Sequence, residues 1–109
     1  MKPKLSTLFK ASLVIFLAGL LFDAALTFFL GDPLRESNMG IAYTMQTYGM
    51  LVAVLIPTGL QLTIFLPLAY ASLKVGVKHD LTARLGLSLV TFWGAMHILA
   101  GSTWIWGPH

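Results

Sequence analysis

The sequence predicts an all-α integral membrane protein with three transmembrane helices, and two observations support this prediction. Hydrophobic residues make up 57% of the 109 residues and charged residues only 10%, whereas a soluble domain carries about 25% charged residues. Apolar runs long enough to cross a bilayer recur along the chain, separated by proline, glycine and charged residues. Such a chain has too little polar surface to cover a water-soluble globule. We therefore expect a single transmembrane domain over residues 1–109.

Composition also narrows the classes of function. The absence of cysteine excludes disulfides, thiolate catalysis and cysteine-ligated metal or iron–sulfur centres. The basic residues that give the net charge of +3 flank the apolar runs, so they indicate membrane orientation and no nucleic-acid partner. The sequence has no phosphate-binding glycine loop and no His-Glu-x-x-His zinc motif. We expect no catalytic activity of the chain's own.

The first predicted span covers residues 8–30, an apolar run interrupted by Asp23. Its 23 residues form a helix about 35 Å long, enough for a hydrocarbon core of about 30 Å. Pro33 lacks a backbone donor, so the helix ends before it. Because Lys2 and Lys4 precede the run, a cleavable signal peptide is the alternative. Against it, the run is too long and Asp23 lies where a small-residue cleavage motif is expected.

The remaining apolar sequence predicts two more spans. Residues 41–73 are too many for one upright helix, so we expect an interfacial half-helix near residues 39–47 and a span over about residues 48–73. A short basic connector follows, and the third span covers about residues 83–106. Trp104 and Trp106 at its end are typical of an interfacial aromatic belt.

The basic residues predict the orientation of the chain. Three alternating spans bring the amino terminus and the second connector to one side of the membrane. Six of the seven basic residues lie on that side: Lys2, Lys4, Lys10, Lys74, Lys78 and Arg84. The first loop has only Arg35, beside Asp32 and Glu36. By the positive-inside rule, we expect a multi-pass protein of the cell membrane with its amino terminus inside and its carboxyl terminus outside.

Polar residues within the spans predict a shared site in the outer half of the bilayer. One such residue occurs in each span: Asp23, Gln61 and His97. Each is thirteen residues from a basic residue that anchors its span, respectively Lys10, Lys74 and Arg84. At about 1.5 Å per helical residue this distance is about 20 Å, so the three lie at one depth. Polar groups are costly in hydrocarbon, which predicts that they face one another. Thr27 follows Asp23 by one turn on the same face.

These residues have both structural and functional interpretations. A hydrogen-bonded Asp23–His97 pair would fix helix packing and lower the cost of burying both groups. Alternatively, Asp23 carries a proton or binds a cation, and His97 relays protons or ligates a metal or haem iron. One such histidine cannot complete a bis-histidine haem, so that use needs a second chain. For Gln61, the structural alternative is repair of the helix after Pro57 or a bond to another helix. The sequence identifies no cofactor.

The loop after the first span adds further polar candidates. Glu36 and Asn38 are expected as a lid over the level of Asp23 and His97, forming a small polar pocket open to the outer face. The segments Asp23-Ala24-Ala25-Leu26-Thr27 and Glu36-Ser37-Asn38 resemble the DUF5658-like small prokaryotic membrane proteins of unknown function. In that family an Asp-x-x-x-Thr helix motif precedes a Glu-x-Asn loop motif, with a proline where Met39 stands here. The resemblance implies one constellation of Asp23, Thr27, Glu36 and Asn38, and no activity.

Three functions fit these features. Small-residue faces on each span predict close helix contacts, which favours a small subunit of a homo-oligomer or of a larger membrane complex in the lipid bilayer. An oligomeric proton-coupled transporter or channel would use Asp23 as its coupling carboxylate and His97 as the proton partner. A haem- or metal-binding redox subunit would use His97 as a ligand.

Overall fold

The computed structural model describes residues 4–36 and 38–107, so Lys2, Ser37 and His109 lie outside the described residues. The described chain forms four α-helices, in the order α1 (Leu5–Leu30), α2 (Met39–Tyr48), α3 (Met50–Val75) and α4 (Asp80–Trp106). Helices α1, α3 and α4 are each long and apolar enough to cross a membrane. The prediction of an all-helical protein with three such helices is confirmed.

The helices differ from the predicted spans by at most three residues at each end. Helices α1 and α4 begin before the apolar runs, at Leu5 and Asp80, and the predicted half-helix is present as α2. Backbone hydrogen bonds form whatever the polarity of the side chains, so each of these helices extends beyond its apolar run. Lys10 and Arg84 therefore lie within helices, where their long side chains can reach the polar boundary.

Helix α2 is fixed at both ends by local backbone chemistry. The Asn38 side-chain oxygen accepts a hydrogen bond from the backbone N–H of Ile41 at 3.2 Å, which caps the first turn. Gly49 separates α2 from α3 with φ 97° and ψ 164°, a conformation that is essentially restricted to glycine. Among the described helices α2 packs only on α3, where it buries Met45.

An apolar core lies between the helices on one side of the polar residues. Its buried members come from α1, α3 and α4: Phe16, Leu20, Phe65, Ala69, Leu87 and Val90. The Phe16 and Phe65 rings have centroids 5.4 Å apart, and Phe65 stacks on Trp93 at 5.2 Å. Along each helix the core residues lie between the polar residue and the basic helix end. The core therefore closes the bundle beneath the polar layer.

Helices α1 and α4 form the most extensive contact in the bundle. A Cβ atom on Gly19 would overlap the carbonyl oxygen of Gly94, and a Cβ atom on Gly101 would lie 2.8 Å from the Cα of Asp23. Small residues thus allow the two backbones to touch. This close approach brings Asp23 on α1 within reach of His97 on α4.

Candidate functional site

Asp23, Gln61 and His97, predicted from sequence to share one depth, are in direct contact. The Nδ1 atom of His97 lies 2.6 Å from Oδ2 of Asp23. The other ring nitrogen, Nε2, is hydrogen-bonded to Oε1 of Gln61. The side chains of His97 and Asp23 are 17% and 20% exposed in the isolated chain. One imidazole thus joins the three long helices at a single level.

Two tryptophans and a threonine extend these contacts into a continuous hydrogen-bonded chain. On one side, the Thr27 hydroxyl donates to Oδ1 of Asp23 at 3.3 Å and accepts from the Trp104 indole N–H at 3.0 Å. On the other side, the Trp93 indole N–H donates to Oε1 of Gln61 at 2.7 Å. We call these six residues the polar relay: Trp104, Thr27, Asp23, His97, Gln61 and Trp93.

The orientation of the Gln61 amide follows from partners that have only one possible role. An indole N–H can only donate, so the atom of Gln61 that faces Trp93 is the oxygen. A backbone carbonyl can only accept, so the atom that faces the Pro57 oxygen at 3.1 Å is the nitrogen. The oxygen that accepts from Trp93 also faces Nε2 of His97. His97 must therefore carry a proton on Nε2.

This constraint leaves one proton to be placed between His97 and Asp23. If it resides on Nδ1, an imidazolium faces a carboxylate; if it resides on Oδ2, a neutral imidazole faces a carboxylic acid. In both arrangements the pair has a net charge of zero. The pair can thus exist in a low-dielectric region without a separate counterion.

Both ring nitrogens of His97 are bonded to protein partners, so neither is free to coordinate a metal ion or haem iron. A metal ion or haem iron at Nε2 would have to replace the proton and displace Gln61. Within residues 4–36 and 38–107, no group of three or more His, Cys, Asp or Glu side chains is arranged to hold a metal ion. Metal or haem ligation by His97 stays an untested prediction.

A cavity of about 300 Å³ lies against the polar relay. Relay members from all three long helices line it, including Asp23, Gln61 and His97. The expected lid residues Glu36 and Asn38 line it as well. Its remaining wall is formed mainly by small or apolar side chains: Leu20, Ala24, Ile41, Ala53, Val54, Pro57, Thr58 and Ala100. We call this cavity the relay pocket.

Local turns place the two lid residues at the pocket edge. The backbone carbonyl of Asp32 accepts from the N–H groups of Arg35 and Glu36, which turns the chain back after α1. One carboxylate oxygen of Glu36 then accepts from the backbone N–H of Asn38 at 3.0 Å. Glu36 is half-buried and Asn38 is exposed, so the pocket reaches the surface on this side.

The structure corrects two sequence interpretations. Trp104 is 7% exposed and bonds to Thr27, so its assignment to an interfacial belt is wrong, although Trp106 is 66% exposed. Gln61 does not repair the carbonyl freed by Pro57, which would be that of Ala53 four residues earlier. Its amide donates to the carbonyl of Pro57 itself while its oxygen bonds across to α4. The seven-residue spacing of His97 and Trp104 was the available signal for their shared face.

Sequence reasoning missed a second polar contact, near the opposite end of the α1–α4 interface. The Ser12 side chain is 2% exposed, and its hydroxyl, which has a single proton, lies 2.7 Å from the carbonyl oxygen of Leu8 and 3.1 Å from that of Leu87. The Thr91 hydroxyl lies 2.9 Å from the Ser12 oxygen. Since hydroxyl side chains often bond their own helix in apolar segments, their sequence positions alone carry little signal.

Fold and site together define an all-helical chain of the multi-pass membrane class, with a polar pocket built between its three long helices. No protein-family model, curated protein or solved structure matches the chain significantly. The resemblance to the DUF5658-like proteins is neither confirmed nor refuted and stays a prediction.

Proposed function

We propose that the chain is a small multi-pass membrane subunit whose own contribution is to bind a small ligand in the relay pocket. The observation that carries this proposal is the coincidence of the cavity with the polar relay. Ligand sites are typically concave and mostly apolar, with a few convergent polar groups, and have volumes of about 300–1,000 Å³. At about 300 Å³ the relay pocket is at the small end of that range.

The alternative is a purely structural role, in which the polar relay only fixes helix packing. Packing alone would be served by a filled contact, as between Gly19 and Gly94, where the backbones touch. Around Asp23 and His97 the helices instead leave a cavity, and its surface edge carries a further carboxylate from Glu36. A costly polar layer that borders unfilled space favours a binding role.

A matched pair of variants tests ligand binding. Ala24→Leu adds bulk at the pocket wall, whereas Ala25→Leu adds the same bulk at an exposed neighbouring position. Three probes of similar size span the charge types: cyclohexylammonium, cyclohexanol and cyclohexanecarboxylate. We expect at least one to bind the wild type and Ala25→Leu saturably in phosphatidylcholine nanodiscs, and to bind Ala24→Leu much more weakly. Equal behaviour of the two variants with all three probes would overturn the proposal.

We further propose that the protein lies in a prokaryotic cell membrane with its amino terminus inside, which places the relay pocket in the outer half. Lys4 and Lys10 lie near the start of α1, and Lys74 and Lys78 near the end of α3. Because the chain lacks cysteine, single-cysteine labelling is clean. A membrane-impermeant maleimide should label Arg35→Cys in intact cells and Lys78→Cys only after lysis; the reverse pattern would refute the orientation.

Assembly with a second copy or with other membrane subunits is part of the proposal. Gly19 on α1 and Gly94 and Gly101 on α4 are already in close contact within the chain, whereas Gly59 and Thr63 lie exposed one turn apart on α3. Small residues at this spacing permit close helix association in membranes. Mass determination of the intact assembly in mild detergent should therefore show an oligomer or a bound partner. A monomer without partners would contradict this part.

A proton-coupled transporter or channel is the second candidate, favoured by the single proton shared between Asp23 and His97. Such a role needs a path to the opposite side, where Phe16 and Phe65 fill the bundle. A path along an oligomer interface, or a rearrangement of that core, would be required. Proton flux into proteoliposomes that is abolished in Asp23→Asn would support this candidate, and absence of flux in the wild type would remove it.

A further inference from the structure

Most hydrogen-bond donors of the polar relay that line the relay pocket are already engaged by protein acceptors. Both N–H groups available to His97, the Thr27 hydroxyl and the Trp104 indole N–H are directed at protein acceptors. The Thr58 hydroxyl donates to the carbonyl of Val54 at 2.7 Å. The amides of Asn38 and Gln61 also line the pocket and have N–H groups beyond those bonded within the chain, but a neutral amide carries no positive charge to balance an anionic ligand.

Acceptor capacity, in contrast, remains on the two carboxyl groups. Each carboxylate oxygen has two lone-pair directions. Oδ1 of Asp23 accepts from Thr27, and Oδ2 faces His97, which occupies one direction of each oxygen. Glu36 accepts the N–H of Asn38 through Oε1 only. The free sites therefore suit a ligand that donates hydrogen bonds.

The formal charge of the pocket is negative, which also favours a ligand that donates hydrogen bonds and carries positive charge. The Asp23–His97 pair is neutral whether its shared proton resides on Nδ1 or on Oδ2. Glu36 adds one negative charge, and within residues 4–36 and 38–107 no lysine or arginine lines the pocket. Arg35 lies on the same loop but outside the lining. With its low-dielectric walls, the pocket favours a positive charge.

The remaining wall of the relay pocket indicates the kind of molecule that carries the positive charge. Leu20, Ile41 and Val54, with Ala24 and Ala53, present hydrocarbon to the cavity. A bare metal ion would leave this surface unused and prefers more oxygen ligands than two carboxylates supply. An organic body with one ammonium group satisfies both parts of the wall.

We infer that the relay pocket binds a small organic cation, with an ammonium group directed at Glu36 and Asp23 and a hydrocarbon part against α1, α2 and α3. This inference rests on the proposed ligand-binding function and names the class of its ligand. It requires that charge, and not size or hydrophobicity alone, selects the ligand.

The three probes introduced above test the inference through their dissociation constants. Titrations of the full chain in phosphatidylcholine nanodiscs can be followed by tryptophan fluorescence, because Trp104 lines the pocket. Cyclohexylammonium should bind the wild type about tenfold more tightly than cyclohexanol, and cyclohexanecarboxylate should bind most weakly, as expected for one charge-assisted contact.

Charge-neutralising variants test whether the carboxylate of Glu36 causes the preference for cyclohexylammonium. Glu36→Gln retains an oxygen that can accept from Asn38, so the loop keeps its hydrogen bond while the charge is lost. It should weaken cyclohexylammonium binding about five- to tenfold and leave cyclohexanol unchanged. Asp32→Asn is the matched control, since it removes an acidic charge from the same loop outside the pocket and should change neither.

The outcomes distinguish failure of the cation inference from failure of the proposed ligand-binding function. Binding of cyclohexanol or cyclohexanecarboxylate as tight as that of cyclohexylammonium, or no effect of Glu36→Gln, would overturn the cation inference while pocket binding stands. If Ala24→Leu and Ala25→Leu behave alike with every probe, the binding function itself fails and the inference fails with it.

Discussion

Removal of the Asp23–His97 contact tests whether the polar relay holds the helices together. The perturbation is a double-mutant cycle of Asp23→Ala, His97→Ala and the double variant. Interhelical hydrogen bonds in membrane proteins couple by about 0.6 kcal/mol on average and by up to about 1.7 kcal/mol. Both members of the pair are ionisable, and Nδ1 of His97 lies 2.6 Å from Oδ2 of Asp23. Charge-assisted hydrogen bonds are roughly twice as strong as neutral ones. With both side chains partly exposed, we expect a coupling free energy of about 1–2 kcal/mol.

The assay is reversible unfolding in mixed micelles with increasing SDS, followed by circular dichroism. His97→Ala also removes the bond to Gln61, but that loss occurs on both sides of the cycle and cancels. Asp23→Asn serves as a control, because its amide can donate to Nδ1 while Nε2 still donates to Gln61. It should lose less than half of the stability that Asp23→Ala loses. A coupling below about 0.5 kcal/mol, the usual error of additivity, would refute the reasoning.

Two further predictions concern backbone positions. Gly19→Ala should lower the free energy of unfolding by about 1–3 kcal/mol. The Cβ of the new alanine would overlap the carbonyl oxygen of Gly94 and push α1 away from α4. Gly40→Ala, whose Cβ would lie 3.4 Å from the Asn38 side-chain oxygen, is the control in the same SDS titration and should be neutral or slightly stabilising; equal losses would contradict the packing argument. Gly49→Ala should cost about 1–3 kcal/mol through its φ of 97°, although no atom lies within 4 Å of the added Cβ. An unchanged unfolding curve for Gly49→Ala would show that α2 can reorient freely at this junction.

The depth of the polar layer could be predicted because helical rise is nearly constant. Counting thirteen residues from Lys10, Lys74 and Arg84 gives one level without knowledge of the packing. That Asp23 and His97 also face each other follows from the cost of exposing either one to hydrocarbon. Rotation of each helix about its axis is thereby restricted by its most polar residue.

Other parts of the site depend on packing that a pattern of residues does not encode. Trp104 suits an interfacial belt and a buried hydrogen bond equally well by composition, and only the presence of Thr27 across the interface decides between them. The orientation of Gln61 likewise depends on Trp93, whose indole reaches it from another helix. The turn at Gly49 shows as a glycine in the sequence, but its effect on the direction of α2 does not.

The backbone contact between α1 and α4 has a mechanical consequence for the relay pocket. Where Gly19 meets Gly94, neither helix can slide or rotate without a steric clash, so the two form a rigid frame. Helix α3 contacts this frame through side chains, among them Phe65 and Gln61, and α2 packs on α3. Because the pocket lies between the frame and α3, we expect the proposed ligand to enter or leave by movement of α3 and α2 while the frame stays in place. Such a movement should lengthen the hydrogen bond between Gln61 and His97, which joins α3 to the frame, before the bond between His97 and Asp23, which lies within the frame.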